Sequence, residues 1–185
     1  MDDNVVVVRF ADDSQAYEAV SELTKLDVDD RVDIRAAALL TRSGNGTISV
    51  PEKTDKIAGL LVPSGGMIGM LVGVLGGPIG MLLGGSIGAL AGGVGEMRRA
   101  GERDVALGFI AKEVAPGSTV IVAQVIESAE EVIDSAMEVL GGTVVRRPTA
   151  DVAAEIEAAE EATRAAEQEA RRVLGEHGRK ERSDS

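Results

Sequence analysis

The sequence predicts an α+β domain, because two separate stretches each carry the pattern of a strand, a helix and a second strand. The first stretch covers 4–52 and the second, preceded by a short helix, covers 101–147. Between them, 57–95 contains no charged side chain and is rich in glycine. An Ala- and Glu-rich stretch over 149–174 follows. We therefore expect two similar halves, an apolar insertion and a long C-terminal helix.

In the first half, β-branched runs predict strands, and apolar residues at helical spacing predict the helix between them. Asp12 or Ser14 is the expected N-cap of that helix. Asn45-Gly46 predicts a hairpin turn, because both residues tolerate a positive φ. The expected strand, helix, strand and hairpin strand are Val5–Phe10, the region around Ala16–Leu26, Val32–Arg42 and Thr47–Val50.

The second half repeats this order after a short helix. Ser128-Ala129-Glu130-Glu131 predicts a capping box at the start of its main helix. Gly141-Gly142 predicts the end of that helix. The expected short helix, first strand and last strand are Asp104–Lys112, Thr119–Ile126 and Thr143–Arg146.

Two such units in one chain favour a ferredoxin-like split βαβ sandwich, in which the apolar segment is an inserted glycine-zipper helical hairpin. A doubly wound sheet is the main alternative.

The C-terminal stretch Thr149–Leu174 lacks Gly and Pro and predicts one long helix. A weak heptad seam allows two interpretations: the helix lies against the domain or is partly solvated, or it drives oligomerisation. Residues 175–185 have the composition of a disordered tail. The seam residues are Val152, Ile156, Ala159, Thr163, Ala166, Ala170 and Val173.

Glycines recur every four residues in the apolar segment, which places them on one helix face and allows two backbones to approach closely. One row consists of Gly69, Gly73 and Gly77. A longer row consists of Gly76, Gly80, Gly84, Gly88 and Gly92. We expect these rows to pack the hairpin arms against each other, or against those of other copies.

Gly76-Gly77-Pro78 divides the segment near its middle and predicts the hairpin turn. As helices, Ile57–Gly77 would extend about 31 Å and Pro78–Gly95 about 27 Å, and the hydrocarbon core of a bilayer is about 30 Å thick. Basic residues on both sides predict that both flanks face the cytosol. These flanking residues are Lys53, Lys56, Arg98, Arg99 and Arg103.

Two features argue against a hairpin that crosses the bilayer in the usual way. The segment has no Trp or Tyr to form an aromatic belt, and the turn has no polar residue to anchor in headgroups. The tip therefore suits a re-entrant position inside a bilayer, or the shared core of a soluble assembly.

The composition excludes several functions. A net charge of -12 and three aromatic residues argue against nucleic-acid binding. With no cysteine, thiol catalysis and disulfides are excluded. The single histidine, His177, lies in the expected tail, and no catalytic set or phosphate loop is present. We expect no enzymatic activity, no cofactor and no metal site. The acidic Met1–Asn4 lacks the features of a signal peptide, which predicts synthesis in the cytosol.

Across residues 4–147, the chain resembles an uncharacterised bacterial family of predicted membrane proteins. The resemblance rests on the Val-rich first strand, on Gly65–Gly95, on Pro116-Gly117-Ser118 and on Leu140-Gly141-Gly142-Thr143-Val144. It implies no activity, and some similar proteins are loosely tied to stress responses.

The sequence thus predicts a non-enzymatic, homo-oligomeric protein that inserts a glycine-zipper hairpin into the cell membrane, with its α/β domain in the cytoplasm. Its expected partners are itself and the lipid bilayer. The alternative is a soluble, cytoplasmic scaffold (a cage, ring or filament) whose hairpins pack into a shared apolar core. A small-ligand sensor or enzyme built on the sheet is a third reading, and it rests on fold analogy alone.

Overall fold

The computed structural model of the chain describes residues 1–44, 47–51, 66–77 and 106–183, with side chains described up to Arg172. Five strands and five helices lie within these residues. The strands are β1 (Asp2–Arg9), β2 (Asp33–Arg42), β3 (Ile48–Ser49), β4 (Thr119–Glu127) and β5 (Thr143–Pro148). The helices are α1 (Asp13–Val28), α2 (Gly66–Gly76), α3 (Ala106–Glu113), α4 (Glu131–Val139) and α5 (Thr149–Ser183).

The described strands form one antiparallel sheet in the order β3-β2-β4-β1-β5. In the inner strand β1, Val7 lies opposite Val122 of β4 on one side and opposite Val145 of β5 on the other. The predicted α+β class, with its long C-terminal helix, is confirmed. The doubly wound alternative is wrong, because such a sheet is mostly parallel.

Helices cover both faces of the sheet, which explains why the apolar run of β1 does not alternate with polar residues. Val5 and Val7 belong to a core formed with α2, α3 and α5. Val6 and Val8 belong to a second core, formed with α1 and α4. Successive side chains of a strand point to opposite faces, so a strand buried on both faces needs apolar residues throughout.

The predicted hairpin forms between β2 and β3, where Thr41 pairs with Ser49. The strand β3 is shorter than the predicted Thr47–Val50. The turn residues Asn45-Gly46 lie outside the described part of the chain.

Asp12 caps α1, as one of the two predicted alternatives. Its Oδ1 accepts hydrogen bonds from the Ser14 hydroxyl at 2.6 Å and from the Ser14 backbone N–H at 2.8 Å. These bonds, the hydroxyl first, hold the pKa of Asp12 below its ordinary value of 3.8. The capping carboxylate is therefore favoured in its charged form.

Replacing Asp12 with alanine should lower the urea midpoint of unfolding at neutral pH, because a helix donor loses its partner. A carboxylate with a lowered folded pKa stabilises above its unfolded pKa, and its contribution is lost as the pH falls through the folded value. The difference between wild type and Asp12→Ala should thus shrink below about pH 3.8. Urea titrations from pH 2 to pH 7 measure this, and a pH-independent difference would contradict it.

The acidic residues after α1 shape the turn into β2. The Oδ1 atom of Asp27 accepts the backbone N–H of Ile34 at 2.8 Å. Asp30 has a φ of 53°, and the N–H of Arg31 bonds the carbonyl of Leu26 at 2.9 Å. Helices commonly end in this way on one left-handed residue, which Asp tolerates better than most.

The predicted capping box at the start of α4 is wrong. Glu130 occupies the cap position with a helical backbone and makes no side-chain cap. The strand β4 extends to Glu127, Ser128 follows it directly, and the helix begins only at Glu131. The carbonyl oxygen of Glu130 accepts a hydrogen bond from Nη2 of Arg146 at 3.0 Å.

The end of α4 follows the prediction. Gly141 has a φ of 74°, and its N–H bonds the carbonyl of Glu138 at 2.9 Å. The N–H of Gly142 bonds the carbonyl of Met137 at 2.8 Å. This pair of bonds is a Schellman motif, for which glycine is the usual left-handed residue.

The C-terminal helix α5 is anchored through the first half of its predicted seam. Val152 and Ile156 are buried, while Ala166 and Ala170 are exposed. The described seam therefore agrees with the first interpretation: it packs on the domain near its start and is solvated further on. Oligomerisation through this helix stays a prediction. The predicted disordered tail over 175–185 is wrong up to Ser183, because the helix continues that far.

Candidate functional site

Helix α2 brings part of the glycine-rich segment onto the sheet. It covers 11 residues, about 16 Å at 1.5 Å per residue. Its larger side chains face the core, where Ile68 and Leu71 are fully buried. Val74 and Leu75 complete this face against α5 and the sheet. One face of α2 is therefore buried against the rest of the domain.

The opposite face of α2 carries the described glycines. Gly73 is exposed, and a Cβ added there would meet no atom within 4 Å. Gly69 is partly exposed, and Met70 next to it is 42% exposed. Gly76 is exposed and lies near Ile48, at 4.0 Å from an added Cβ. We call this face the glycine surface.

The chain bends directly after α2. The helix ends at Gly76, and Gly77 occupies a bend. A Cβ at Gly77 would lie 3.0 Å from the carbonyl oxygen of Gly73, so the bend favours a residue without a side chain.

Most other predicted segment residues lie outside the described part. The predicted arm Ile57–Gly77 is described only from Gly66. Pro78 and the remaining packing and flanking residues are not described: Gly80, Gly84, Gly88, Gly92, Lys53, Lys56, Arg98, Arg99 and Arg103. Among the described helices, none combines the length and apolar character needed to cross a membrane.

A groove of about 310 Å³ separates the end of α2 from α5. Its α2 side includes part of the glycine surface, and its α5 side adds a hydroxyl and two charges. This combination accepts an apolar side chain or the edge of a helix, with polar contacts at the rim. The lining residues are Met70, Gly73, Val74, Gly77, Glu160, Thr163 and Arg164.

The chain re-enters the described structure beside the same helix. The Oε1 atom of Glu155 accepts the backbone N–H of Ala106, and Oε2 accepts that of Leu107, both at 2.8 Å. Segment 78–105 thus leaves the described structure at Gly77 and returns at Ala106, both next to α5. The sequence did not single out Glu155, although it precedes the seam residue Ile156.

A second contact fixes α3 on the sheet. The guanidinium of Arg147 in β5 lies 3.5 Å from the ring centroid of Phe109 in α3. Its Nη1 donates to the Arg146 carbonyl at 2.8 Å, which holds the side chain in place. Cation–π contacts of this kind are worth about 0.5–2 kcal/mol. A shallow cavity of about 450 Å³ borders Arg147, Asp151 and Glu155.

The sequence also did not single out a buried ion-pair cluster at the end of β4. Arg146 donates to both carboxylate oxygens of Glu127, at 2.7 and 3.1 Å, and to Asp134 at 2.7 Å. Asn4 adds a donor to Glu127 at 3.1 Å. Burial lowers the pKa of Arg146, but the bonds to Glu127 and Asp134 outweigh it and raise that pKa. Because its charges are paired, we interpret the cluster as structural.

Arg42 is the other buried cation of the described residues, only 3% exposed. Its Nη1 donates to the carbonyl oxygen of Val114, just past the end of α3, at 3.0 Å. A cation at a helix C-terminus satisfies free carbonyls and complements the helix dipole. Within the described part of the chain, no three His, Asp or Glu side chains gather as a metal site would require.

Comparison with known proteins gives one match. A family model described as "Protein of unknown function (DUF1269)" matches residues 63–159, slightly more than half of the 185 residues. The matched range begins before α2 and ends in α5, so it contains the glycine surface, the α2 side of the groove and Glu155, whereas the α5 side of the groove lies beyond it. No curated protein and no solved structure matches the chain.

Proposed function

The chain belongs to the family described as "Protein of unknown function (DUF1269)", and on that premise we propose that it is a non-enzymatic, homo-oligomeric protein of the membrane. Its glycine-rich segment enters the bilayer and packs against other copies, while the α/β domain stays in the cytoplasm. The resemblance noted above suggests a role in stress responses.

The main support for this proposal is that α2 has one face buried in the domain and an opposite face formed by glycines. Ile68 and Leu71 tie the start of the segment to the domain core. The glycine surface points away from that core, with open space at Gly73. Small residues at a four-residue spacing allow close helix contact in an apolar environment, where dispersion stabilises association.

The positions of the two segment ends support insertion from one side. Gly77 lines the groove beside Thr163, and Ala106 bonds Glu155 on the same helix. Eight positions separate Glu155 and Thr163, about 12 Å along α5. A segment with its ends this close is suited to a hairpin or re-entrant loop rather than to a single crossing.

We further propose that the domain is ferredoxin-like with an inserted segment. Without the short β3, the strand order is β2-β4-β1-β5. That order matches a split βαβ arrangement, with α1 and α4 on one face. The glycine-rich insertion then lies between the two halves.

Membrane fractionation followed by carbonate extraction tests the proposal. An integral protein stays in the pellet, whereas full release into the soluble fraction would exclude membrane insertion. Flotation of the purified chain with phosphatidylglycerol-containing vesicles provides the in vitro counterpart. Light scattering with and without detergent then gives the number of copies.

A soluble scaffold is the second candidate, and the buried face of α2 favours it. Leu71 and Val74 are packed in protein rather than available to lipid. The glycine surface would then meet another copy in water. A large, detergent-independent assembly that does not float with vesicles would support this candidate, and a detergent-free monomer would exclude it.

Replacing Gly73 with leucine tests whether the glycine surface is a close-packed interface, because the leucine keeps the segment apolar but adds bulk. The domain should stay folded, because an added Cβ meets nothing within 4 Å, and its stability should change by less than about 1 kcal/mol. The oligomer should dissociate, because the leucine prevents close approach. Light scattering measures the mass, and urea unfolding measures the stability.

Ser21→Leu is the matched control, since this exposed position lies on α1, across the sheet from α2. It adds similar bulk without touching the glycine surface. Gly84→Leu makes the equivalent change in the undescribed part of the segment. An unchanged oligomer mass in both glycine variants would show that neither row is an interface.

A further inference from the structure

The groove between α2 and α5 carries one positive and one negative charge on its α5 side. Glu160 and Arg164 stand one helical turn apart, a spacing that allows an ion pair within a helix. In the described part of the chain, however, neither side chain lies within ion-pair distance of an opposite charge. Arg164 instead donates from Nε to the carbonyl oxygen of Glu160 at 3.3 Å. A partly buried carboxylate and an exposed guanidinium thus border the same groove.

The α2 side of the groove combines a protruding side chain with an open space. Met70 lines the groove and is 42% exposed. Gly73 lies three residues further along the same helix face, and a Cβ added there would meet no atom within 4 Å. Methionine is flexible and fills irregular gaps well. The groove therefore presents both an apolar side chain and a space of the kind that receives one.

We propose that this groove is the interface between two copies of the chain, which are related by a two-fold axis that crosses α2 and α5. With the axis near Ala162, Glu160 lies opposite Arg164 of the partner subunit, and Arg164 lies opposite Glu160 of the partner subunit. On α2, the antiparallel arrangement places Met70 over Gly73 of the partner subunit. Each contact occurs twice, as in every isologous interface.

The balance of charge in the groove favours a second copy over an acidic or a basic partner. One positive and one negative side chain one turn apart are complementary to the same pair in reversed order. Two chains that each carry a net charge of -12 also repel each other, so their contact needs locally paired charges. The inference rests on the homo-oligomeric part of the function proposed above, and it does not require membrane insertion.

Charge reversal in the full-length chain tests the pairing. Glu160→Arg places like charges opposite each other twice and should weaken self-association roughly 10- to 100-fold. Arg164→Glu should do the same with two pairs of carboxylates. An equimolar mixture of the two variants should associate as strongly as wild type, because each variant supplies the charges that the other needs. Sedimentation with and without detergent measures the association.

Matched controls make the same charge changes outside the groove. Glu157→Arg and Arg171→Glu alter exposed positions of α5 and should leave self-association close to that of wild type. An equal loss in these controls would assign the effect to net charge and would refute the interface. Failure of the mixture to recover association would refute it as well, whereas recovery also shows that both groove variants are folded.

Disulfide cross-linking tests the position of the axis, because the chain contains no cysteine of its own. Thr163→Cys lies beside the axis, and oxidation by copper phenanthroline should link two copies, which requires Cα atoms within about 7 Å. Ala170→Cys lies about 12 Å along α5 from the axis, so two such thiols would be about 24 Å apart and should remain unlinked. Equal cross-linking at both positions would contradict the antiparallel arrangement.

The outcomes separate this interface from the proposed function. A wild type that is monomeric with and without detergent would exclude both the interface and the homo-oligomer. An oligomer that charge reversal leaves intact would exclude the interface alone. If the charge variants dissociate and the mixture recovers, the interface is supported, and vesicle flotation then decides the membrane part of the function separately.

Discussion

Replacing Gly142 with alanine should destabilise the domain by about 2–3 kcal/mol, the cost of overpacking a close-packed site. An added Cβ would lie 2.7 Å from Cε1 of Phe10 and 2.9 Å from Cγ1 of Val8. It would also lie 3.1 Å from the carbonyl oxygen of Met137, which bonds the Gly142 N–H. These three atoms surround the position of the methyl group, so the backbone or its neighbours must move to accommodate it. Urea unfolding followed by circular dichroism measures the loss.

Gly44→Ala is the control for this prediction, because an added Cβ there meets nothing within 4 Å and the φ is not positive. It should change stability by less than about 0.5 kcal/mol. If both variants lost the same stability, the effect would come from glycine's backbone entropy rather than from contact at Gly142. A loss confined to Gly142→Ala supports the steric explanation.

Replacing Glu127 with alanine should cost about 3–5 kcal/mol, as removal of one partner of a buried ion pair does. The Glu127 side chain is only 1% exposed, and that of Arg146 is 13% exposed. The variant leaves the guanidinium with Asp134 and the Glu130 carbonyl as its remaining partners. Glu127→Gln keeps the size of the side chain and should lose less. Urea unfolding at neutral pH measures both variants.

A double-mutant cycle with Arg146→Met isolates the pair. The double variant should be more stable than the sum of the single losses predicts, because no unpaired buried charge is left. Lys25→Ala removes an exposed pair with Glu22 and should leave the stability almost unchanged, because solvent screens this pair. Additive losses in the cycle would show that Glu127 and Arg146 do not act together.

Much of the fold could be predicted from local chemistry. The valines of β1 indicated a buried strand, because few other structures accept four successive β-branched residues. Asp12 and Gly141 marked helix ends through hydrogen bonds that involve neighbours in sequence. These features need no knowledge of distant residues. The capping box failed because β4 continues to Glu127 and the helix begins only at Glu131, which puts Glu130 rather than Ser128 at the cap position.

The candidate site could be predicted only in part. A spacing of four showed that Gly69 and Gly73 share a helix face, but not whether that face is buried. Ile68 and Leu71 follow helical spacing as well. Their face is the buried one because the larger side chains pack against apolar residues of the sheet. Burying a leucine gains about 1.5–3 kcal/mol, and glycine offers no comparable area.

The sequence by itself determined the α+β class, the uncharged glycine-rich segment and the long terminal helix, because composition and periodicity act over short distances. The tertiary structure alone decided which face of α2 is outward and which acidic residues act at a distance. Glu155 and Glu127 resemble any other glutamate in the sequence. Each acquires its role from a partner at least 19 residues away, which chain folding brings within hydrogen-bond distance.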